Sequence, residues 1–440
     1  MSYSEFLARK RRVFDGVPGG VGAELSSRLY PWQAAIVRWA LRKGRAAIFA
    51  DCGLGKTLMQ IEWARALGVR ALIVAPLCVA EQTVEEAKTI GVDIRYARNQ
   101  VEAIGAMIVI TNYERLDDFT LSAFGAVVLD ESSILKSFTG KTRTRLIEQC
   151  AAVTYRLCCT ATPSPNDIAE LGNHAAFLGI MTFPEYLATW FVKVDQGQRT
   201  TEHHGWRLKG HAQTDFFRWV ASWAIALRQP SDIGFDDDRF VLPPLAIRDR
   251  VVASGVNITG ALFPEAGLKG IQGRLSARRG SLQARVEAVA SLVAAEPHES
   301  WLLWCGLNEE SKALAQAISG AVEVSGNDSY DAKVSAVRAF TSGAVKVLVS
   351  KAAILGFGLN FQHCARMAFV GISDSYEDYY QAIRRSWRFG QARPVDAWIV
   401  VSDTETLIVE NVRRKEAAAA SLADGLLAHL RGFEREELAS

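Results

Sequence analysis

Short, nearly continuous apolar runs alternate with longer amphipathic stretches along most of this chain. In the first half, Ala46–Ala50, Val69–Ala75, Val92–Tyr96, Met107–Thr111, Ala126–Asp130 and Tyr155–Thr160 predict strands. Among them, Ala35, Ile36, Trp39 and Ala40 predict a helix that closes at Gly44, and a second helix opens at Lys56 and runs towards Leu67. Val79–Ile90 and Lys141–Cys150 predict two more. Strands apolar on both faces and separated by helices imply a parallel sheet covered on each side, an α/β architecture.

From Asp167 to Leu227 the pattern turns helical and aromatic (Phe183, Tyr186, Trp190, Phe191, Phe216, Phe217, Trp219, Trp223), which predicts a helical elaboration whose rings are core. Pro230–Asp238 reads as a linker, and Pro243-Pro244 opens a second alternating series. Its expected strands are Ile247–Val252, Ser300–Cys305, Val322–Val324, Val345–Val349, Met367–Gly371 and Ala397–Ser402. Its expected helices are Ser281–Ala294, Glu309–Ile318 and Tyr330–Thr341, and Ala and Leu content predicts a helical tail over Glu405–Leu430. The expected division is one lobe over 1–240, with the helical insertion at about 167–227, and a second over 241–440 that includes the tail.

With 440 residues, 49% hydrophobic and 22% charged, the chain has the composition of an ordinary globular protein and not of a disordered or fibrous one. Net charge is only +2, so a nucleic-acid surface would have to be a local patch. The seven cysteines (Cys52, Cys78, Cys150, Cys158, Cys159, Cys305, Cys364) form no CxxC pair and sit mostly in apolar runs, which predicts buried reduced thiols. His203, His204 and His211 cluster without partner cysteines, which argues against a metal site there. Met1–Arg12 is polar with a basic end, unlike a signal peptide, and no run reaches the length of a membrane span. A cytoplasmic location is expected.

The stretch that carries most chemistry is Ile48-Phe-Ala-Asp-Cys-Gly-Leu-Gly-Lys-Thr-Leu58. A strand, a Gly-rich turn at Gly53, Leu54 and Gly55, and a helix N-terminus together make an anion cradle, with the Lys56 ammonium reaching outer phosphates. Thr57 supplies a hydroxyl suited to Mg²⁺. Downstream, Val127-Val-Leu-Asp130-Glu131 is an apolar strand ending in two carboxylates, which suits Asp130 to a hydrated Mg²⁺ and Glu131 to orienting an attacking water. Thr160-Ala-Thr162-Pro163 ends the next strand with hydroxyls. In the second half, Gly356-Phe-Gly358-Leu-Asn360-Phe-Gln362 is a Gly-rich loop after a strand. Gln381 to Gln391 then contains Arg385 and Arg388, three apart, which on a helix would share one face and could neutralise charge on a transferring phosphoryl group.

In this order the motifs resemble a superfamily 2 helicase-type ATPase, most closely its SNF2-like branch and the small members of bacteriophages and prophages. Tyr30-Pro-Trp-Gln33 resembles the adenine-reading Q motif, Ala50–Thr57 motif I, Ala75-Pro76 motif Ia and Thr111-Asn-Tyr-Glu114 motif Ib. Asp130-Glu-Ser-Ser133 resembles motif II with Ser-Ser where the branch has Ala-His, Lys136 matches the basic residue after it, and Thr160–Pro163 resembles motif III. Trp301–Cys305, Gly356–Gln362 and Gln381–Gln391 resemble motifs IV, V and VI.

The resemblance implies two RecA-like lobes that bind ATP and Mg²⁺ between them. It implies nucleotide contacts from Tyr30, Gln33, Gly53, Leu54, Gly55, Lys56, Thr57, Gly358, Asn360 and Gln381, metal contacts from Thr57 and Asp130, and catalytic roles for Lys56, Asp130, Glu131, Arg385 and Arg388. Nucleic acid, double-stranded DNA by preference, would be held by its phosphates at motifs Ia, Ib, IV and V, with Lys136, Lys141, Arg143 and Arg145 nearby. The expected activity is an ATP-dependent translocase acting as a monomer. A strand-separating helicase on single-stranded DNA or RNA, and an ATP-switched nucleic-acid-binding scaffold, stay open beside it.

Overall fold

A computed structural model describes residues 13–439 apart from 77–78, 137–139, 165–166, 195–204, 238–239, 254–277, 356–358 and 374. Contacts group the chain into two compact units, Met1–Phe240 with Ala417–Ser440, and Val241–Glu416. The first contains α1 (Pro31–Lys43), β1 (Arg45–Ala50), α2 (Lys56–Ala66), β2 (Ala71–Ala75), α3 (Ala80–Thr89), β3 (Arg95–Tyr96), β4 (Ile108–Asn112), β5 (Ala126–Asp130), α4 (Lys141–Gln149) and β6 (Tyr155–Cys159). It continues with α5 (Leu171–Leu178), α6 (Phe183–Trp190), β7 (Phe191–Lys193), β8 (Trp206–Leu208), α7 (Gln213–Ala221) and β9 (Ala224–Leu227).

Seven strands form one parallel sheet in the order β3-β4-β2-β5-β6-β1-β9. Successive side chains of a strand point to opposite faces, so each central strand feeds two cores. Ala47 and Phe49 of β1 pack with Leu72, Val74, Val127 and Leu129 on one face, whereas Ala46, Ile48 and Ala50 pack with Ile73 and Val128 on the other. Helix α1 ends where expected: Gly44 adopts φ +64° and its N–H bonds back to the Ala40 carbonyl.

The segment after motif III is less helical than its pattern predicts. Phe191–Lys193 and Trp206–Leu208 pair as an antiparallel hairpin, and Ala224–Leu227 joins the main sheet beside β1. Its aromatic residues are core: Tyr186, Trp190, Phe216, Trp219 and Trp223 are buried, and their rings contact one another.

The second unit runs β10 (Leu245–Val252), α8 (Leu282–Ala295), β11 (Trp301–Cys305), α9 (Asn308–Ala317), β12 (Ala321–Val324) and α10 (Tyr330–Thr341). After these come β13 (Val347–Lys351), α11 (Ala352–Leu355), β14 (Arg366–Val370), α12 (Tyr376–Ile383), β15 (Val395–Ser402) and the start of α13 (Thr406–Ala439). Its six-stranded sheet, order β10-β15-β14-β11-β13-β12, is also parallel throughout. Both units are therefore parallel α/β lobes of the RecA-like kind.

At the carboxyl end of this second sheet lies a buried ionic group. Glu310 accepts from Arg278 (2.6 Å) and Arg285 (2.7 Å), and Glu405 stands 3.7 and 3.5 Å from the same two arginines. The other Glu310 oxygen accepts the Gly306 and Leu307 N–H groups, capping α9.

Sequence alone assigns all of 241–440 to the second lobe, but the tail divides. Val409 and Val412 lie in the second lobe's core, whereas Leu426, Leu427 and Leu430 are buried in the first lobe's core. There Glu434 accepts the Ala226 N–H (2.6 Å) on the outer edge of β9, Arg431 pairs with Asp232, and His429 stacks on Phe217. The tail thus covers an edge strand that would otherwise expose its backbone. Among the described residues no helix is long and apolar enough to cross a membrane.

Candidate active site

Because β5 pairs with β6 and β6 with β1, all parallel, three strand ends lie side by side. The loop 51–55 leaves β1 there, Asp130 and Glu131 leave β5, and Thr160 leaves β6, its N–H bonded to the Ile48 carbonyl (3.2 Å). Topology thus gathers Gly53, Leu54, Gly55, Lys56, Thr57, Asp130 and Glu131 at the edge where ligands of parallel sheets bind.

The loop is built for a close approach. Gly53 and Gly55 hold φ +88° and +72°, and a Cβ on Gly55 would collide with the Gln33 amide. Gln33 is buried; its Oε1 accepts the Tyr30 N–H (3.0 Å) and its Nε2 donates to the Leu54 carbonyl (3.0 Å). It therefore ties the entry of α1 to the loop, with a second N–H and lone pair left for a base. Tyr30 is half-buried, edge-on to Phe240 at 5.2 Å. Lys56 Nζ donates to the Ala50 carbonyl (2.7 Å) and the Asp51 carbonyl (3.2 Å), folded over its own loop.

Asp130 is buried, and burial with the neighbouring Glu131 charge raises its pKa to about 6, while Lys56 and the Gln60 amide pull it back down. Its backbone carbonyl accepts the Tyr113 hydroxyl (2.7 Å). A buried carboxylate beside Lys56 and the Gln60 amide of α2 fits a hydrated divalent cation, which would favour its charged form. Lys56, the loop N–H groups and Thr57 likewise fit a polyphosphate.

Glu131 is the one described non-glycine residue with positive φ, +59°. Its Oε1 accepts the Thr160 hydroxyl (2.8 Å) and the Ser133 hydroxyl (3.3 Å). Such backbone strain, on the order of 1–3 kcal/mol, survives where surrounding contacts over-determine it and gathers at functional sites. The neighbouring Ser132 hydroxyl bonds His174 Nε2 (3.2 Å) from α5. Burial pulls the His174 imidazole down to about 4, against the Glu170 and Ser132 backbone groups, so the ring is neutral near pH 7. Sequence reasoning missed His174 and Gln60: neither sits in a recognisable motif, and polar residues within apolar helical stretches carry no spacing signal.

In the second lobe Asn360, Gln381, Arg385 and Arg388 assemble together. The helical face expected for the arginines is corrected: α12 ends at Ile383, and 384–390 is a series of turns. The arginines still converge, because Arg385 Nη1 (3.1 Å) and Arg388 Nη1 (3.3 Å) both donate to the Leu359 carbonyl beside Asn360. Gln381 fixes Arg385 through its side-chain oxygen (2.6 Å) and its carbonyl (2.9 Å). Asn360 Oδ1 accepts the Gln362 N–H. Gly358 lies outside the described residues, as do Cys78, His203 and His204. Of the basic residues expected near nucleic acid, Arg143 bonds Asn173 and lies over Phe183, and Arg145 pairs with Asp117.

Residues 30–171 match the DEAD/DEAH box helicase family model, and residues 284–390 match that of the helicase conserved C-terminal domain. No curated protein matches the chain. The first match runs from Tyr30 past Thr160 and the second ends just after Arg388, so together they contain the phosphate loop, Asp130, Glu131, Thr160 and both arginines, while His174 falls three residues beyond the first match. With both domains in tandem on two parallel α/β lobes, the chain belongs to the superfamily 2 helicases, ATP-dependent enzymes acting on nucleic acid.

Proposed function

We propose that this chain is an ATP-driven motor of the SNF2-like kind, related to the small phage and prophage forms, that moves along double-stranded DNA without separating its strands. The observation that carries the reading is the convergence of Arg385 and Arg388 on the loop at Leu359-Asn360. The pairing of Gly-Phe-Gly-Leu-Asn with Arg-Arg-Ser-Trp-Arg-Phe-Gly-Gln resembles the wording of that branch, which supports the reading.

The roles follow from chemistry. Lys56 exchanges the Ala50 and Asp51 carbonyls for phosphate oxygens when ATP enters, and the Gly53–Gly55 backbone cradles the chain of phosphates. Gln33 has amide capacity left to read the base, beside Tyr30. Thr57 and Asp130 would hold Mg²⁺, which would neutralise developing phosphate charge. Glu131, fixed by Thr160 and Ser133, orients the attacking water, and Arg385 and Arg388 supply positive charge to the transferring phosphoryl group. Gln381 positions Arg385, and Gln381 and Asn360 serve as nucleotide contacts. DNA phosphates are held at motifs Ia, Ib, IV and V, so binding weakens steeply with salt.

The test is steady-state ATP hydrolysis without nucleic acid and with duplex DNA, single-stranded DNA or RNA, with Lys56→Ala as blank. Stimulation chiefly by duplex DNA, with no strand released in a displacement assay, is the expected result. Stimulation chiefly by a single strand with displacement would replace the translocase by a strand-separating helicase. Blank-level turnover with ATP-sensitive DNA binding would leave a switched scaffold.

A further inference from the structure

Glu131 is held at its carboxylate by Thr160 and Ser133, but the turn that follows it is held from elsewhere. Residues Ser132–Lys136 form a single 3-10 turn, and two consecutive side chains of α5 grip it at both ends. His174 Nε2 bonds the Ser132 hydroxyl (3.2 Å) at the start, and Asn173 Nδ2 donates to the Lys136 carbonyl (3.3 Å) at the finish. Both residues are completely buried. Asn173 is itself fixed through its Oδ1 by Arg143 Nε (2.8 Å), and the His174 ring stands edge-on to Phe49 (5.2 Å), two residues before the phosphate loop begins.

We propose that His174 and Asn173 are positioning residues for hydrolysis, which clamp the 132–136 turn and thereby keep the strained Glu131 carboxylate on Thr160 and aimed at the attacking water. The inference rests on reading the site as an ATPase. Its physical basis is the φ of +59° at Glu131. Strain of that kind relaxes when a restraint is removed, and the cheapest relaxation here rotates Glu131 into an ordinary backbone region, which swings its carboxylate away from Thr160. Lys56, Thr57 and the loop glycines belong to a different segment, so nucleotide binding stays while the chemical step slows. Misplacement of a reacting group by about 1 Å can cost roughly 100-fold, and the expected fall in kcat is about 10- to 100-fold with KM for ATP unchanged.

The experiment compares wild type, Lys56→Ala, His174→Leu, His174→Gln, Ser132→Ala and the Ser132→Ala/His174→Leu double variant. It measures kcat and KM for ATP with duplex DNA, binding of a fluorescent ATP analogue, and melting temperature. Glutamine reaches the place of the imidazole Nε2, so His174→Gln should restore most of the kcat lost in His174→Leu. Ser132→Ala breaks the same bond while removing only one oxygen, at the added loss of the Ser132 contact to the Cys158 thiol, so with its melting temperature it decides the matter even where His174→Leu fails to fold. Where both fold, the double variant should be no slower than the slower single. Wild-type turnover at the Lys56→Ala level under every condition overturns the ATPase reading and this inference with it. An active wild type alongside Ser132→Ala and His174→Leu that keep kcat within twofold overturns the positioning role alone. So does joint loss of analogue binding and kcat that glutamine does not restore, which marks a merely structural contact.

Discussion

Replacing Glu434 by glutamine should make the first lobe less sensitive to rising pH. Glu434 lies fully buried on the tail, its Oε1 accepting the Ala226 N–H of β9, with Asp232 and Arg431 as charged neighbours. Burial raises its pKa to about 8; the Ala226 bond and Arg431 oppose the rise and Asp232 adds to it. Between the ordinary value of 4.5 and about 8 the folded protein holds a proton that the unfolded chain has released. Stability therefore falls as pH rises through that window and levels off above it. One bound proton corresponds to about 1.4 kcal/mol per pH unit, so from pH 5 to 8 the loss is on the order of 4 kcal/mol. For a lobe of this size that corresponds to roughly 10 °C in melting temperature. Glutamine keeps the acceptor for Ala226 and cannot ionise. Scanning fluorimetry of both proteins from pH 5 to 9 should show matching melting temperatures at pH 5, a gap that widens in favour of Glu434→Gln up to pH 8, and no further widening above it. A gap that does not change with pH between 5 and 8 would refute the reasoning.

Three further outcomes are expected. Gly55→Ala places a Cβ against the Gln33 amide at a left-handed backbone position and should abolish binding of a fluorescent ATP analogue while circular dichroism stays native. Arg388→Ala should leave ATP affinity nearly unchanged and slow turnover by roughly 10³–10⁵, as other arginine fingers do; unaltered turnover would end the finger assignment. Glu310→Ala leaves the buried Arg278 and Arg285 without their main counter-charge and uncaps α9, so it should destabilise the second lobe by about 3–5 kcal/mol in urea denaturation.

The chain's own pattern determined a good deal. Apolar runs apolar on both faces imply a parallel sheet wherever they fall, so β1, β2, β4, β5 and β6, and β11, β13, β14 and β15 in the second lobe, were legible within about two residues. The phosphate loop was legible for a related reason: glycines and a lysine at fixed spacing between strand and helix describe their own local geometry, and Gly53 and Gly55 do hold positive φ. Asp130 and Glu131 were legible because a strand of that composition ends where its carboxylates begin.

What pattern could not decide lies in contacts between residues far apart in sequence. The run Ala224–Leu227 is too short to distinguish strand from helix by period, and it became a strand because the edge of β1 had unpaired backbone groups to offer. Arg385 and Arg388 converge not through a helical face but because both reach one carbonyl, at Leu359. The tail's division between two cores, and the Glu434 carboxylate on β9, follow from which apolar faces lay open for Leu426, Leu427 and Leu430 to fill. His174 joins motif II across 42 positions of chain, a pairing that no local spacing encodes. Local patterns specify the elements and the phosphate cradle because those depend on neighbouring residues; the restraints that aim Glu131 depend on packing, and only the folded chain brings them together.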